Sequence, residues 1–312
     1  MVSRRKFLGQ TTLAAGALLF NPLAKAQLSP RGNIKISLAE WSLNRTIRAG
    51  KLDHRDFPAK AKSFGIDAVE YVNGLFGTKT LNFKEAAKNT AYLADLLKRS
   101  KDAGVDNHLL MIDEEGPLAG TAEKVRREAV DNHKKWIDAA KYLGCRTVRV
   151  NLHGEGEMKA KETASIDSLS RLGEYAAPLG VNVVVENHGS DSSKGFWVAS
   201  VMKQVNKPNV GTLPDFGNFC ITHPWGTTQE ACSDEYDRYK GVEELLPFAK
   251  GVSAKSYDFD ANGEQPKIDY KRLLDMVKAS GFSGYIGIEY EGINQPEEEG
   301  IVKTKKLLEK YL

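Results

Sequence analysis

Residues 179–189 read Leu179-Gly180-Val181-Asn182-Val183-Val184-Val185-Glu186-Asn187-His188-Gly189. A helix-like segment, Ser165–Leu179, leads into this stretch. Gly180 suits the left-handed position that closes a helix. A short β-branched run follows, too brief for a helix and apolar enough for burial on both faces. It ends on an acid. The unit is helix, glycine, buried strand, polar strand end.

The same unit repeats outward in both directions. Strand-like runs lie at Ile34–Leu38, Asp67–Val72, Asn107–Ile112, Thr147–Asn151, Val181–Glu186, Val210–Asp215, Gly251–Ser256 and Tyr285–Tyr290. Between them fall helix-like segments such as Lys84–Lys101, Thr121–Leu143, Gly241–Lys250, Tyr270–Ser280 and Glu297–Tyr311. Phe64-Gly65, Ala103-Gly104, Leu143-Gly144 and Ser280-Gly281 repeat the helix-closing glycine. Strands alternating with helices predict an α/β parallel sheet with crossover helices. Eight such units match a single closed (β/α)8 TIM barrel of about 250 residues. An open doubly wound sheet usually carries a glycine-rich phosphate loop after its first strand. Here that strand runs into Ala39-Glu40-Trp41-Ser42 instead.

The chain begins MVSRRKFLGQTTLAAGALLFNPLAKAQ. Ser3-Arg4-Arg5-Lys6-Phe7-Leu8 reads as a twin-arginine export signature. A short apolar run and the small-x-small site Ala24-Lys25-Ala26 follow, as in a cleaved signal peptide. The expected division is a leader over residues 1–26 and the barrel over 27–312, with a periplasmic destination. The whole chain has 44 basic and 41 acidic residues, a net charge of +3. Arg4, Arg5, Lys6 and Lys25 belong to the leader, so the remainder has 40 basic residues against 41 acidic ones. That near-neutral balance argues against a nucleic-acid partner. No later stretch is apolar enough to span a membrane, so no membrane association is expected after cleavage. The chain has three cysteines. Cys220 and Cys232 can pair in a loop, but spacing alone does not decide it. Cys145 is expected to pack beside a strand. Whether the barrel forms a homo-oligomer stays open.

In a barrel of this kind the chemistry sits at the C-terminal strand ends. Glu186 ends the fifth run, Asp215 the sixth and Glu289 the eighth. One such acid commonly caps a helix or pairs with a lysine. Three at the ends of separate strands of one barrel point to a shared site. Crowded carboxylates repel, and a divalent cation relieves the repulsion. Carboxylate oxygens suit Mg²⁺ or Mn²⁺, and an added imidazole favours Mn²⁺, Co²⁺ or Zn²⁺.

Val185-Glu186-Asn187-His188-Gly189, Pro214-Asp215-Phe216-Gly217-Asn218 and Gly287-Ile288-Glu289-Tyr290-Glu291-Gly292 together resemble the xylose isomerase-like barrel superfamily. The likeness is to its sugar phosphate isomerase/epimerase branch, with AP endonuclease-type barrels as cousins. It implies that Glu186, Asp215 and Glu289 hold one divalent metal. It also implies that Glu186 and Glu289 form the acid/base pair at a sugar carbon beside a carbonyl. The chain departs from the family on the seventh run, Gly251-Val252-Ser253-Ala254-Lys255-Ser256. The family usually has His-x-His there, and Ser253 stands at the expected ligand position. Alternation places Lys255 on the same face as Ser253. It can then serve the site as a cation, a base or a hydrogen-bond donor. His188, two residues past Glu186, is expected to polarise or position substrate.

The expected partner is a small-molecule sugar. Aromatic walls with polar neighbours suit its C–H faces and hydroxyls, which selects Trp41, Glu70, Asn151, His153, Asn218 and Trp225 as substrate-binding candidates. Glu40 and Asn73 are further candidates for hydroxyl contacts, and Arg149 for a phosphate. His54, His108 and His133 are expected at the surface or in packing. The leading expectation is an exported, metal-assisted sugar isomerase or epimerase. The alternatives are a metal-dependent lyase or dehydratase on keto-sugars or glycosides, and a non-catalytic periplasmic carbohydrate-binding barrel.

Overall fold

The computed structural model describes residues 33–312. The twin-arginine motif and the Ala26 cleavage site lie outside the described residues. Eight strands occur in the expected order: β1 (Ile34–Ala39), β2 (Ala68–Val72), β3 (Asp106–Met111), β4 (Thr147–Val150), β5 (Asn182–Glu186), β6 (Val210–Leu213), β7 (Val252–Ser256) and β8 (Gly284–Tyr290). All ladders are parallel, neighbours follow chain order, and β1 also pairs with β8. Strands of this kind need crossover connections, and helices supply them over the outer surface. The fold is a single (β/α)8 barrel.

The joint between β6 and β7 differs from the others. It is made by isolated bridges, Thr212 to Ala249 and Asp215 to Ser253, rather than a continuous ladder. The sixth strand was expected to reach Asp215 but stops at Leu213. Pro214 has no N–H to give a ladder. Its carbonyl instead accepts from the Ser253 amide at 2.9 Å, and the Phe216 amide reaches the Ser253 carbonyl at 3.1 Å.

Helix ends follow local chemistry. Gly104 (φ 63°) and Gly144 (φ 87°) close their helices in the left-handed conformation. The expected segment Lys84–Lys101 is two helices, Phe83–Ala86 and Thr90–Ala103. Asn89 separates them, because its side chain accepts from the Tyr92 amide and starts a new helix. Gly195–Val205, not singled out from the sequence, is a further helix, with Trp197, Val198, Val201 and Met202 buried.

Two apolar layers result. Ala39, Val72, Leu109, Met111, Val184 and Leu213 fill the barrel interior. A larger layer joins the strands' outer faces to the helices, and Trp136 is fully buried there. Each large apolar side chain so buried contributes roughly 1.5–3 kcal/mol. Because side chains alternate along a strand, the residue two beyond an inward apolar one also points inward. Val184 thus places Glu186, and Leu213 places Asp215. Among the described residues no helix is long and apolar enough to cross a membrane. Cys220 and Cys232 form a disulfide, and Cys145 is buried and free.

Candidate active site

Glu186, Asp215 and Glu289 meet at the C-terminal end of the barrel, each buried, with one oxygen from each lying within 4.8 Å of the others. Asp215 Oδ1 accepts from the amides of Gly217 (2.7 Å) and Asn218 (2.8 Å), an Asx turn that fixes the carboxylate. Ser253 Oγ lies 2.6 Å from Asp215 Oδ2 and 3.2 Å from Glu289 Oε2. Its single proton serves one of them at a time.

Two cations enter the cluster from neighbouring strands. Lys255 Nζ donates to Glu289 Oε1 at 2.7 Å and lies 3.1 Å from Glu291 Oε1. Arg149 Nη1 donates to Asp113 Oδ1 at 2.5 Å. Its Nε lies 2.9 Å from Glu186 Oε2. That approach is close enough for an ion pair but misaligned for a hydrogen bond, so Glu186 Oε2 has no hydrogen-bond partner. Asn218 Nδ2 donates to the other Glu186 oxygen at 3.1 Å.

Proton affinities follow from burial. Burial pushes Glu186 well above the usual carboxylate range, against the pull of Arg149 and with the help of Glu289 and Asp215. Burial likewise takes Asp215 up to about 7, with Lys255 opposing and Glu289 adding. For Lys255 burial works against the charge, but Glu289, Glu291, Asp215 and Glu186 outweigh it and hold the amine well above the usual lysine range. The cluster thus joins a carboxyl group whose proton affinity is raised by burial to an ammonium held charged by its acidic neighbours. Burial also drives His188 well below the usual imidazole range, helped by Arg149 and His153, so His188 is neutral.

Three converging carboxylates, one with an unpartnered buried oxygen, fit a hard divalent cation. Glu186, Asp215 and Glu289 would hold it. Ser253 adds only a neutral hydroxyl, and Lys255 brings a competing positive charge to the same oxygens.

The other candidates divide. Glu70 is buried inside the barrel, with Ser37 Oγ donating to it at 2.5 Å. It fits there because β8 offers Gly287, where a Cβ would lie 2.5 Å from Glu70 Oε1. Burial takes Glu70 up to about 7, against the Ser37 hydrogen bond. Asn151 donates to Asp113 Oδ1 at 2.7 Å. Trp41 Nε1 donates to Glu291 Oε1 at 2.6 Å and lines a cavity of about 240 Å³ at the barrel mouth. His153, His188 and Trp225 form one aromatic group, with ring centres 5.3–5.8 Å apart.

Three weaker expectations resolve differently. Arg149 is committed to Asp113 and Glu186. Glu40 pairs with buried His54 and accepts from the Val72 amide at 3.0 Å. Asn73 is bonded to the Asp113 backbone in both directions. His54, His108 and His133 are buried packing residues. Sequence reasoning missed Asp113 and Glu291 as members of the site. Each stands two residues beyond an inward-facing position, Met111 and Glu289, so the alternation used for Glu186 and Asp215 was the available signal.

Comparison with known proteins agrees with the fold. The family model described as xylose isomerase-like TIM barrel matches residues 58–311. A short segment is 37% identical over 49 residues to the C-glycoside deglycosidase alpha subunit of Arthrobacter globiformis, spanning 16% of this chain and 13% of that protein's length. The crystal structure of the 3-keto-D-glucoside 4-epimerase YcjR from E. coli superposes with a TM-score of 0.63 at 14% identity, covering 89% of this chain and 100% of that one. The IOLI protein, solved with a binding zinc atom, gives a TM-score of 0.64 at 17% identity, covering 89% and 99%. At these identities the two solved structures speak for the fold.

Proposed function

The chain belongs to the xylose isomerase-like TIM barrel family, and from that membership and its strand-end carboxylates we propose an exported sugar isomerase or epimerase that moves a proton beside a carbonyl. The observation that carries this reading is the convergence of Glu186 and Glu289, from β5 and β8, with Asp215 between their strands. One carboxylate takes the proton from the carbon next to the carbonyl. The C–H electron pair moves into an enediolate. The other carboxyl group returns a proton to the opposite face or to the adjacent carbon. Glu186 and Glu289 are the two proton carriers, placed on opposite sides of the reacting carbon. Lys255 and neutral His188 position the carbonyl and hydroxyl oxygens. A bound divalent cation (Mn²⁺, Mg²⁺, Co²⁺ or Zn²⁺) supplies Lewis-acid stabilisation of the negative oxygen.

Solved neighbours that act on sugars, among them the 3-keto-D-glucoside 4-epimerase YcjR, support the substrate class. The leader sequence and the Cys220–Cys232 disulfide support export to an oxidising compartment.

A second reading is favoured by the deglycosidase match and by Lys255 within the carboxylate cluster. The same proton abstraction followed by expulsion of an oxygen leaving group makes a lyase on a keto-sugar or glycoside. The discriminating experiment incubates chelated and cation-reloaded protein with ketoses and keto-glucosides in D₂O. Deuterium at the carbon beside the carbonyl in an isomeric product supports the isomerase or epimerase. Loss of the leaving group's mass supports the lyase. Sugar binding without turnover, unaffected by chelator and by Glu186→Gln or Glu289→Gln, overturns both in favour of a binding barrel.

A further inference from the structure

The Cys220–Cys232 disulfide closes a loop between β6 and the helix Arg238–Leu245, and Trp225 sits inside that loop. The loop is drawn tight by its own backbone. The Cys220 amide donates to the Gly226 carbonyl at 2.9 Å, and the Gly226 amide to the His223 carbonyl at 3.0 Å.

Its outer turn is pressed against the end of β5. Gly189 (φ +92°) and Gly226 (φ +73°) meet so closely that a Cβ on Gly226 would lie 2.5 Å from the Gly189 nitrogen. A Cβ on Gly189 would lie 2.2 Å from the Pro224 carbonyl oxygen. Only two glycines permit this approach. Gly189 directly follows His188, so docking the turn here brings Trp225 to the imidazoles. Its ring stands at 89° to His153, with centres 5.3 Å apart, and 5.5 Å from His188. Trp225 remains 52% exposed. His153 Nε2 and His188 Nδ1 are buried without any hydrogen-bond partner.

A half-open indole braced from behind by two buried imidazoles offers an apolar face complementary to the C–H groups of a polyol ring. We propose that the Cys220–Cys232 disulfide is the positioning element of this wall, and that it sets sugar affinity by holding Trp225 against His153 and His188. The proposal rests on the sugar-handling reading above and adds a redox dependence to it. With the disulfide open, the turn loses its closure, the wall loosens, and affinity falls while the buried carboxylates keep their geometry.

The test compares wild-type protein with the Cys220→Ala, Cys232→Ala double variant, and also with wild type reduced by dithiothreitol in case the variant folds poorly. With a ketose or keto-glucoside that the wild type turns over, opening the disulfide should raise KM about tenfold and keep kcat within about threefold. Trp225→Ala should raise KM likewise. An independent readout is the Trp225 indole N–H resonance, assigned by its absence in Trp225→Phe, which should move toward its random-coil position on opening the disulfide. An unchanged resonance, or an unchanged KM with a moved resonance, overturns the proposal. A protein that turns over no sugar overturns the function proposed above, and the resonance then still decides whether the disulfide holds Trp225.

Discussion

Lys255 on β7 and Glu289 on β8 are register partners, and the lysine donates to the Glu289 carboxylate at 2.7 Å with both side chains buried. The strand pairing leaves the ammonium no alternative neighbourhood. It neutralises one of the three carboxylates that would hold a cation, and it repels that cation. Lys255→Met should therefore lower stability by about 3–5 kcal/mol, as loss of one partner of a buried pair does. It should also bind Mn²⁺ about tenfold more tightly or better in calorimetry, with part of the lost stability regained on saturation. Equal Mn²⁺ affinity in the two proteins would show that Lys255 does not compete at the triad.

Arg149 links Asp113, past the end of β3, to Glu186 at the end of β5. The guanidinium spans two carboxylates, which a lysine ammonium cannot copy in geometry. Arg149→Lys should keep the charge and most of the stability but lower kcat about tenfold or more, with little change in KM, because Glu186 loses its fixed orientation. A variant with normal kcat would mean that Asn218 alone orients Glu186.

Gly287 on β8 exists to admit Glu70. Gly287→Ala would place a methyl group 2.5–2.8 Å from the Glu70 carboxylate. Displacing a buried carboxylate that Ser37 already holds should cost about 1–3 kcal/mol. Chemical denaturation of the variant measures it. A Glu70→Gln, Gly287→Ala double variant should lose no less, since the amide has the same bulk.

His108 supplies a pH dependence at the opposite end of the barrel. Burial, with Arg146 adding, lowers it to about 4 from an ordinary value of 6.5. Between those values the unfolded chain takes up a proton that the folded one refuses. Stability is therefore full above about 6.5 and falls as pH drops toward 4. Both ring nitrogens lack partners, and the ring packs on Tyr285 at 4.1 Å, so His108→Leu should remove the titration with little else lost. Relative to that variant, wild type should lose about 2–3 kcal/mol between pH 7 and 4.5. The difference matters because Glu70 and Asp215, raised to about 7, push the overall profile the other way. Parallel profiles for the two proteins would refute the assignment.

The barrel and its acidic centre were legible because both follow local rules. Each strand announces itself as a short β-branched run, and alternation carries Glu186, Asp215 and Glu289 inward. Relations between strands were less visible. Arg149 reads as a free phosphate ligand until the β4–β5 register sets it beside Glu186. Glu40 reads as a hydroxyl contact until the chain returns His54 to it. Asn89 hides inside an amphipathic stretch because its capping bond depends on a single backbone turn. The pairing of Cys220 with Cys232 requires the loop to fold back, which spacing does not encode.

The joint between β6 and β7 gives the site a second role. Where other strands are zipped by ladders, this seam depends on a few backbone contacts around Pro214 and on the hydrogen bond from Ser253 to Asp215. The reacting cluster is thus also the clasp of the cylinder. Changing Asp215 or Ser253 unfastens the wall as well as altering the chemistry, and faster hydrogen exchange at the Phe216 and Ser253 amides separates the first effect from the second.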